Sequence, residues 1–369
     1  MLKLERRAQP STVMMFASPL IAAACMLVTG YGLFGFLGQA PLHAFFTFFI
    51  QPLSSAYGIG EWLLKATPLI LCGLGLAIGF RANVWNIGAE GQFTMGALAS
   101  SGVALHFNGV DAGWVLPLMM LAGVLGGMAW AAIPAFLRSR FHTNEILVSL
   151  MLVYVAQLLL GYLVQGPWRD PEGYNFPQTV MFDSAALLPL LVDGLRTNLA
   201  FVITLFLVAL TWFFSRRMLV GFRMQVSGLA PAAARYAGFS ETRNIWLAML
   251  IGGGMAGFAG MAEVAGPIGQ LQPVISPGYG FAAIIVAFVG RLHPFGVMLA
   301  GLLMSLLYLG GEAAQINLGL PSAVTGLFQG LLLFYLLAAD VFIQYRLKSH
   351  AHPRPSPRPV DALLPEESA

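Results

Sequence analysis

The chain has 369 residues, of which 58% are hydrophobic and only 9% carry a charge. A soluble globular domain has roughly 25% charged residues, so this composition excludes an ordinary soluble protein. The net charge of +3 does not indicate binding to nucleic acid, because the basic residues lie where membrane topology would place them.

Long apolar stretches recur along the chain. A hydrocarbon core about 30 Å thick needs roughly 20 apolar residues for each helical crossing. The pattern therefore predicts an all-α, polytopic transmembrane helix bundle with about ten spans, some of them broken or re-entrant. The predicted spans are 13–37, 62–80, 87–107, 114–137, 145–165, 198–216, 244–262, 279–292, 294–310 and 323–343.

The lysines and arginines predict the orientation of the bundle, because cytoplasmic loops are enriched in both. If the N-terminus is cytoplasmic, all of the 19 lysines and arginines except Lys65, Arg169 and Arg196 fall on the inner side. We therefore predict a multi-pass protein of a bacterial inner membrane with both termini in the cytoplasm.

The extramembrane parts follow from this topology. Residues 1–12 are predicted as a cytoplasmic N-terminus and residues 13–343 as the transmembrane domain. Within that domain, 166–197 is predicted as an external loop and 217–243 as a cytoplasmic segment. The tail, 344–369, is rich in proline and polar residues and cannot bury enough apolar surface to fold, so it is predicted to be disordered.

Polar residues and glycines are concentrated between two apolar spans, in the string NVWNIGAEGQFTMGALAS at 83–100. An ionisable residue near membrane depth is a functional candidate, and glycines permit a broken helix beside a water-filled cavity. In this interpretation two aromatic rings stack on a planar or sugar-like ligand while amide and carboxylate groups supply hydrogen bonds. The predicted pathway residues are Asn83, Trp85, Asn86, Glu90, Gln92 and Phe93. The alternative is a cytoplasmic loop followed by a helix-packing face of small residues, and Glu90 could instead hold the helix break together.

A second interrupted segment, 266–290, is rich in glycine and proline and contains Ser276 and Tyr279. Paired interrupted segments in two halves of a chain indicate an internal structural repeat with a shared site. The sequence identity between the two segments is low, so the repeat is only suggested.

The inner connection between Arg216 and Arg243 contains a short Ala-rich stretch. Pro231 stands early in it, where a helix accepts proline, and Gly238 stands at the C-terminal stop position. A surface helix between two spans suits docking to a soluble partner. It could equally be a loop helix that lies along the membrane.

Motifs of catalysis and of nucleotide binding are missing from the sequence. It contains no GxxxxGK[ST], no HExxH and no CxxC, and its histidines form no convincing ligand cluster. The expectation is a transport subunit that is not an enzyme, with no metal site, and with ATP and Mg²⁺ bound only by a separate ATPase chain.

Three strings carry a resemblance to a known family: NVWNIGAEGQFTMGALAS, GLAPAAARYAGFS at 228–240, and YGFAAIIVAFVGRLHPFG at 279–296. In this order they resemble the ABC importer permeases for nucleosides and simple sugars, a family with relatives for ribose and branched-chain amino acids. The likeness covers roughly residues 60 to 340. Trp85 departs from the pattern, which has phenylalanine or another apolar residue there, and this change could alter the fit of the substrate.

The resemblance implies roles for individual positions. Residues 86–92 and 276–281, the latter including Phe281, would lie near the translocation pathway. Residues 227–239 would form the coupling helix that meets the ATPase, through Leu229, Ala230, Ala233, Arg235, Tyr236 and Phe239. The implied partners are a cytoplasmic ABC ATPase, a second, related permease, an extracytoplasmic substrate-binding protein or lipoprotein, the small-molecule substrate and membrane lipid.

Two functions are weighed. The first is the permease subunit of an ATP-driven ABC importer, with a nucleoside or related purine favoured over a simple sugar. The alternative is a secondary transporter driven by an ion gradient, which predicts ionisable residues deep within several helices. Apart from Glu90 the sequence has few of these, so the importer is favoured. The sequence leaves open the exact substrate, homodimer against heterodimer, and whether Glu90 contacts substrate.

Overall fold

The computed structural model describes residues 2–6, 12–192 and 194–349. These residues form thirteen α-helices and two short strands. The helices are α1 (Thr12–Phe36), α2 (Pro41–Phe45), α3 (Ala56–Arg81), α4 (Ala89–His106), α5 (Val115–Phe141), α6 (Glu145–Gln165), α7 (Leu199–Arg217), α8 (Leu219–Leu229), α9 (Pro231–Tyr236), α10 (Glu241–Glu263), α11 (Tyr279–Val289), α12 (Pro294–Leu318) and α13 (Ala323–Gln344). A π-helical turn, Phe46–Ile50, and a 3₁₀ turn, Gln51–Leu53, follow α2.

Eight of the helices in the described part of the chain are long and apolar enough to cross a membrane: α1, α3, α5, α6, α7, α10, α12 and α13. The chain is therefore a multi-pass membrane protein, and the predicted all-α helix bundle is confirmed.

The other two predicted spans differ from this pattern. The span predicted at 87–107 corresponds to α4, which starts only at Ala89 and has 18 residues. Its first turn carries Glu90 and Gln92, which lower its hydropathy. The span predicted at 279–292 corresponds to α11, which has 11 residues. At 1.5 Å per residue α11 is roughly 16 Å long, about half of a hydrocarbon core.

Helix α10 packs tightly against α3, α4 and α5 through glycines. A Cβ added at Gly96 of α4 would lie 2.3 Å from the Cα of Gly257, and one added at Gly257 would lie 2.2 Å from the carbonyl oxygen of Gly123 in α5. Helix α3 meets the same helix at Gly75, where an added Cβ would lie 2.9 Å from the Cα of Gly252. Small residues let helix backbones approach closely in a membrane. These contacts hold the start of α4 inside the bundle.

The connection from α10 to α11 is the predicted interruption. Helix α10 continues into a π-helical turn, Val264–Ile268, and an irregular segment then leads to α11, which begins after Gly278 at a φ of +94°. The predicted external loop pairs with this segment, since the N–H of Thr179 donates to the carbonyl of Leu271 at 3.0 Å and that of Phe182 to Gly269 at 2.8 Å. These bonds satisfy backbone groups that the break leaves without helical partners.

The described ends of the chain form a two-stranded antiparallel ribbon. Strand β1 (Leu2–Arg6) pairs with β2 (Tyr345–Ser349), with Leu2 opposite Ser349 and Arg6 opposite Tyr345. The first residues after α13, predicted to belong to the disordered tail, are therefore a strand, because pairing with β1 satisfies their backbone groups. The remainder of the predicted tail, 350–369, lies outside the described residues.

Candidate functional site

The turn before α4 is closed by a pair of side-chain amides. Nδ2 of Asn86 donates to Oε1 of Gln92 at 2.8 Å, and Nε2 of Gln92 donates back to Oδ1 of Asn86 at 3.1 Å. The same Oδ1 accepts the N–H of Gly88 at 3.0 Å. Both side chains are buried. The two amides are thus partners of each other and fix the path of the chain into α4.

Glu90 joins the two interrupted segments. Its Oε2 accepts the N–H of Gly280 at 2.6 Å, and the carboxylate also bonds the N–H of Phe281 and the hydroxyl of Ser276. A carboxylate is favourable at a helix N-terminus, where N–H groups are unpaired and the dipole is positive. The approach is close, since a Cβ added at Gly280 would lie 2.3 Å from the nitrogen of Glu90. The structure thus places 86–92 and 276–281 in direct contact, with the carboxylate bonded within the chain.

Ser276 completes this junction. Its Oγ accepts the N–H groups of Gly278 at 3.0 Å and Tyr279 at 2.9 Å, so it caps the first turn of α11. Because its hydroxyl also bonds Glu90, the cap of α11 and the start of α4 share one hydrogen-bond network. A change in the position of either segment must therefore break or move these bonds.

Trp85 packs against rings of its own chain. Its ring centroid lies 5.0 Å from that of Phe80 and 6.1 Å from that of Phe288. Its Nε1 donates to Oδ1 of Asn83 at 3.0 Å, and Asn83 adopts a φ of +56°. The two predicted residues Asn83 and Trp85 are therefore together, in a cluster that joins the end of α3 to α11.

The other predicted aromatic residues differ in exposure. Phe93 is fully buried and contacts Tyr279 edge to face at 6.3 Å. Tyr279 is also buried and packs against Tyr308 of α12 at 5.5 Å. Phe281 is exposed to 38%. In this conformation neither Phe93 nor Tyr279 offers a ring face to a ligand.

The sequence did not reveal the residues of α5 and α6 that support this segment. Oε1 of Glu145 accepts the N–H of Trp85 at 3.3 Å and forms an ion pair with Arg138, and Oγ of Ser149 accepts the N–H of Ile87 at 3.2 Å. An acidic residue in the first turn of a helix is common on dipole grounds, so nothing in its position marked Glu145 as a tertiary contact.

Glycines bring α6 directly against the same segment. A Cβ added at Gly88 would lie 2.8 Å from the Cβ of Ser149, and one added at Gly91 would lie 2.9 Å from the Cα of Val153. The predicted pathway segment 86–92 thus lies directly behind one face of α6.

The predicted coupling segment is a pair of helices, α8 and α9, that break at Ala230. The sequence predicted one short helix here, and α8 was missed. The sequence of α8 mixes apolar and polar residues and contains no clear helix stop signal. Leu229 is exposed to 78% and Tyr236 to 97%, and Ala230, Ala233 and Arg235 are exposed as well. Phe239 is half-buried, beneath the guanidinium of Arg223 at 5.4 Å.

The coupling segment rests on the turn that leads to residues 86–92. A Cβ added at Gly228 would lie 2.2 Å from the carbonyl oxygen of Arg81, and a cleft of about 50 Å³ lies between Asn83, Val84 and the α9 residues Pro231 and Arg235. The two predicted sites are thus separated by a single turn of chain.

A larger, charged cleft borders α9. It has a volume of about 650 Å³ and lies between the end of α5, the start of α6 and the start of α10. Both signs of charge line it, and its ionisable residues are Arg138, His142, Glu145, Arg235 and Glu241. A mixed-charge cleft beside exposed apolar side chains is suited to contact with a protein surface.

Within residues 2–6, 12–192 and 194–349, no three His, Cys, Asp or Glu side chains come together as a metal site would require. The two cysteines, Cys25 and Cys72, form no disulfide with each other. The structure therefore offers hydrogen-bonding and packing groups for function, and no metal-ligand set in this part of the chain.

Comparison with known proteins identifies related chains over almost the whole length. The family described as "Branched-chain amino acid transport system / permease component" matches residues 58–337. The glucose ABC transporter permease protein TsgB13 of Haloferax volcanii is 35% identical, over 98% of this chain and 97% of its own. The guanosine ABC transporter permease protein NupP of Bacillus subtilis is 30% identical, over 89% of this chain and 96% of its own. A second guanosine ABC transporter permease protein of that organism, NupQ, is 26% identical over only 65% of this chain.

Proposed function

Since the chain belongs to this family of permease components, we propose that it is the longer of two permeases in an ATP-driven importer whose solute is a nucleoside or a related purine. The class is plain from its relatives: the chain is the permease subunit of an ABC transporter, a transport subunit rather than an enzyme. As such it works with an ATPase and, in most systems of this kind, with a substrate-binding protein. The gradient-driven alternative has no support among these relatives.

The observation that carries the mechanism is the contact between α8–α9 and the turn at 81–84. Leu229 and Tyr236 expose large apolar surfaces on this connection, and Arg235 lines the charged cleft beside them. These side chains would dock the ATPase, whose ATP-driven closure would push on α9. Because Gly228 lies against Arg81, the push would reach residues 86–92 and, through Glu90, the N-terminus of α11.

Two relatives support the solute class. One is named for guanosine and the other for glucose, and both solutes are neutral rings that carry hydroxyl groups. A simple sugar is therefore the second candidate, favoured by the higher identity to the glucose permease.

A heterodimer is supported by the two guanosine permeases of Bacillus subtilis. This chain matches NupP along 96% of that protein but NupQ along 77%, and at lower identity. The same division of a longer and a shorter permease would apply here, with this chain as the longer. The arginine-rich connections, including α8 and α9, would face the cytoplasm, and the loop 166–197 would face the binding protein outside.

Reconstitution tests the function. The permease, its ATPase and its second permease are placed in proteoliposomes with the binding protein, and uptake of labelled guanosine is measured with glucose as the competing probe. We expect uptake that requires ATP and an active ATPase. Uptake that persists without the ATPase would overturn the importer.

Arg235→Glu tests the coupling segment. We expect uptake to fall at least tenfold, because the substitution reverses a charge in the docking cleft, while the melting temperature in detergent stays within about 2 °C of the parent. Arg140→Glu is the matched control, a charge reversal on an exposed residue that does not line the cleft. Equal losses in both variants, or loss of folded protein in Arg235→Glu, would contradict the coupling role.

A further inference from the structure

Before the arginines at their C-terminal ends, two membrane helices have apolar outward faces. Helix α7 exposes Val202, Leu205, Phe206, Ala209, Leu210 and Phe213, and α5 exposes Pro117, Leu121, Leu125, Ala129, Ile133 and Phe136. Helix α7 also contains two threonines, Thr204 and Thr211, and both are buried. These two helices turn their polar groups inward and present hydrocarbon outward, as lipid contact requires.

Helix α6 exposes apolar side chains too, among them Leu147, Met151 and Leu158, but it also exposes polar residues along its length. Tyr154 is exposed to 56%, Gln157 and Gln165 are exposed, and Gly161 stands between them with open space beside its Cα. These residues follow one another at i, i+3, i+7 and i+11, so they lie along one side of the helix, which we call the α6 polar stripe. Gln157 is within about 3 Å of the midpoint of α6 along its axis.

The stripe has no partner within the described part of the chain. None of the described side chains or backbone groups forms a hydrogen bond with the side chains of Tyr154 or Gln157, and no charged residue lies between Ile146 and Gln165. A carboxamide near the middle of a membrane is costly unless it meets water, another polar group or a solute. The unpaired phenol and amide therefore distinguish this side of α6 from the apolar faces of α5 and α7, although Leu147, Met151 and Leu158 are exposed beside them.

The side of α6 next to the stripe is joined to the parts that would move, and Val153 on that side stands one turn before Gln157. Ser149 and Val153 lie against Gly88 and Gly91, and Ser149 accepts the N–H of Ile87. A shift of residues 86–92 would thus be transmitted to α6 across a contact with almost no free space. A helix that contacts the coupling route and carries neutral polar groups beside that contact is suited to line a passage.

We propose that the α6 polar stripe lines the water-filled passage of the transported solute, and that Gln157 and Tyr154 hydrogen-bond this solute as it crosses. The proposal rests on the importer function above and adds residues that the sequence did not single out. An amide and a phenol offer donors and acceptors without charge, which fits a neutral nucleoside or sugar and disfavours an ionic solute.

Thiol labelling tests the stripe independently of transport. In a chain in which Cys25 and Cys72 are replaced by alanine, Tyr154→Cys and Gln157→Cys are compared with Leu125→Cys of α5 and Phe206→Cys of α7. The complex is labelled in membranes with a charged methanethiosulfonate, which reacts with the thiolate that forms in water. We expect the stripe positions to react at least tenfold faster than the two controls.

Two outcomes overturn the proposal. If the thiols at the stripe positions are as unreactive as the controls, lipid or protein and not water surrounds the stripe. If the unreactive thiols instead form a disulfide, on mild oxidation, with a cysteine introduced into the second permease, the stripe belongs to a dry subunit interface.

Transport variants test the contact with solute. Gln157→Leu should raise the KM for guanosine uptake at least fivefold, and Gln157→Asn should recover part of the loss. An unchanged KM in Gln157→Leu would remove the solute contact. If neither guanosine nor glucose is imported yet the stripe is labelled, the proposed solute class fails while the water-filled passage stands.

Discussion

The polar residues at 86–92 contact the same helix that carries the α6 polar stripe, but the surroundings of the two groups differ. Asn86, Glu90 and Gln92 are buried, and each bonds another group of the chain. Tyr154 and Gln157 point away from the bundle and bond nothing within its described residues. Polar groups in a membrane protein can therefore serve two purposes, and the sequence alone does not distinguish them. The first group holds broken helices together, and the second remains available for something outside the chain.

This difference predicts that stability and transport will separate between the two groups. The largest effect on stability is expected for Glu90→Leu. The change leaves the N–H groups of Gly280, which is buried, and of Phe281 without this acceptor, at about 1–3 kcal/mol for a buried group. We expect a strong fall in the melting temperature of the detergent-purified protein and a loss of monodisperse material in size-exclusion chromatography.

Glu90→Gln is the control for this variant. Its carbonyl oxygen can still accept one of the N–H groups, so we expect it to recover a large part of the stability. If Glu90→Leu melted at the temperature of the parent protein, the carboxylate would not be the link between α4 and α11. Glu90 would then belong with Gln157, among the polar groups that do not stabilise the fold.

A smaller loss is expected for the amide pair. Asn86→Leu leaves the N–H of Gly88 and the amide of Gln92 unpaired, which costs about 1–3 kcal/mol. Gln92→Leu and the double variant complete a thermodynamic cycle, in which partners in contact have interaction energies of about 0.5–3 kcal/mol. Additive losses in detergent melts would show that the two amides do not depend on each other.

The sequence predicted the membrane spans better than the contacts between them. The span 145–165 coincides with α6, and 198–216 differs from α7 by one residue, because long apolar runs determine both. The span 294–310 was too short, since α12 continues to Leu318 through polar residues at its end that lower the hydropathy without stopping the helix. Length and hydropathy therefore locate helices well and their ends less well.

The site was harder to predict for a physical reason. The string at 86–92 marked a segment that is buried and hydrogen-bonded, but Glu90 bonds a group 190 residues away, and no local pattern encodes that distance. For the same reason Glu145 and Ser149 were missed, since each is an ordinary residue in the first turns of a helix. The α6 polar stripe did carry a signal, a glutamine in the middle of an apolar span, but which way it points depends on how α6 packs.

Trp85→Phe is expected to have a modest effect. Phenylalanine keeps a ring between Phe80 and Phe288 and loses only the bond from Nε1 to Asn83, worth about 0.5–1.5 kcal/mol. The KM for guanosine uptake should not change, because the ring packs within its own chain. A changed KM at unchanged stability would instead place Trp85 on the solute pathway and return the aromatic part of this segment to a binding role.

The smallest effect on stability is expected for Gln157→Leu, although it replaces an amide by an apolar side chain just as Asn86→Leu does. No bond within the described chain is lost, so the free energy of unfolding should change by no more than about 0.5 kcal/mol. The two leucine variants are thus the same chemical change at an amide that is bonded within the chain and at one that is not. If both destabilise the isolated permease equally, Gln157 has a partner within the chain and the stripe is structural. If only Asn86→Leu does so while Gln157→Leu impairs uptake, the amide of α6 acts on a group that the folded chain does not itself contain.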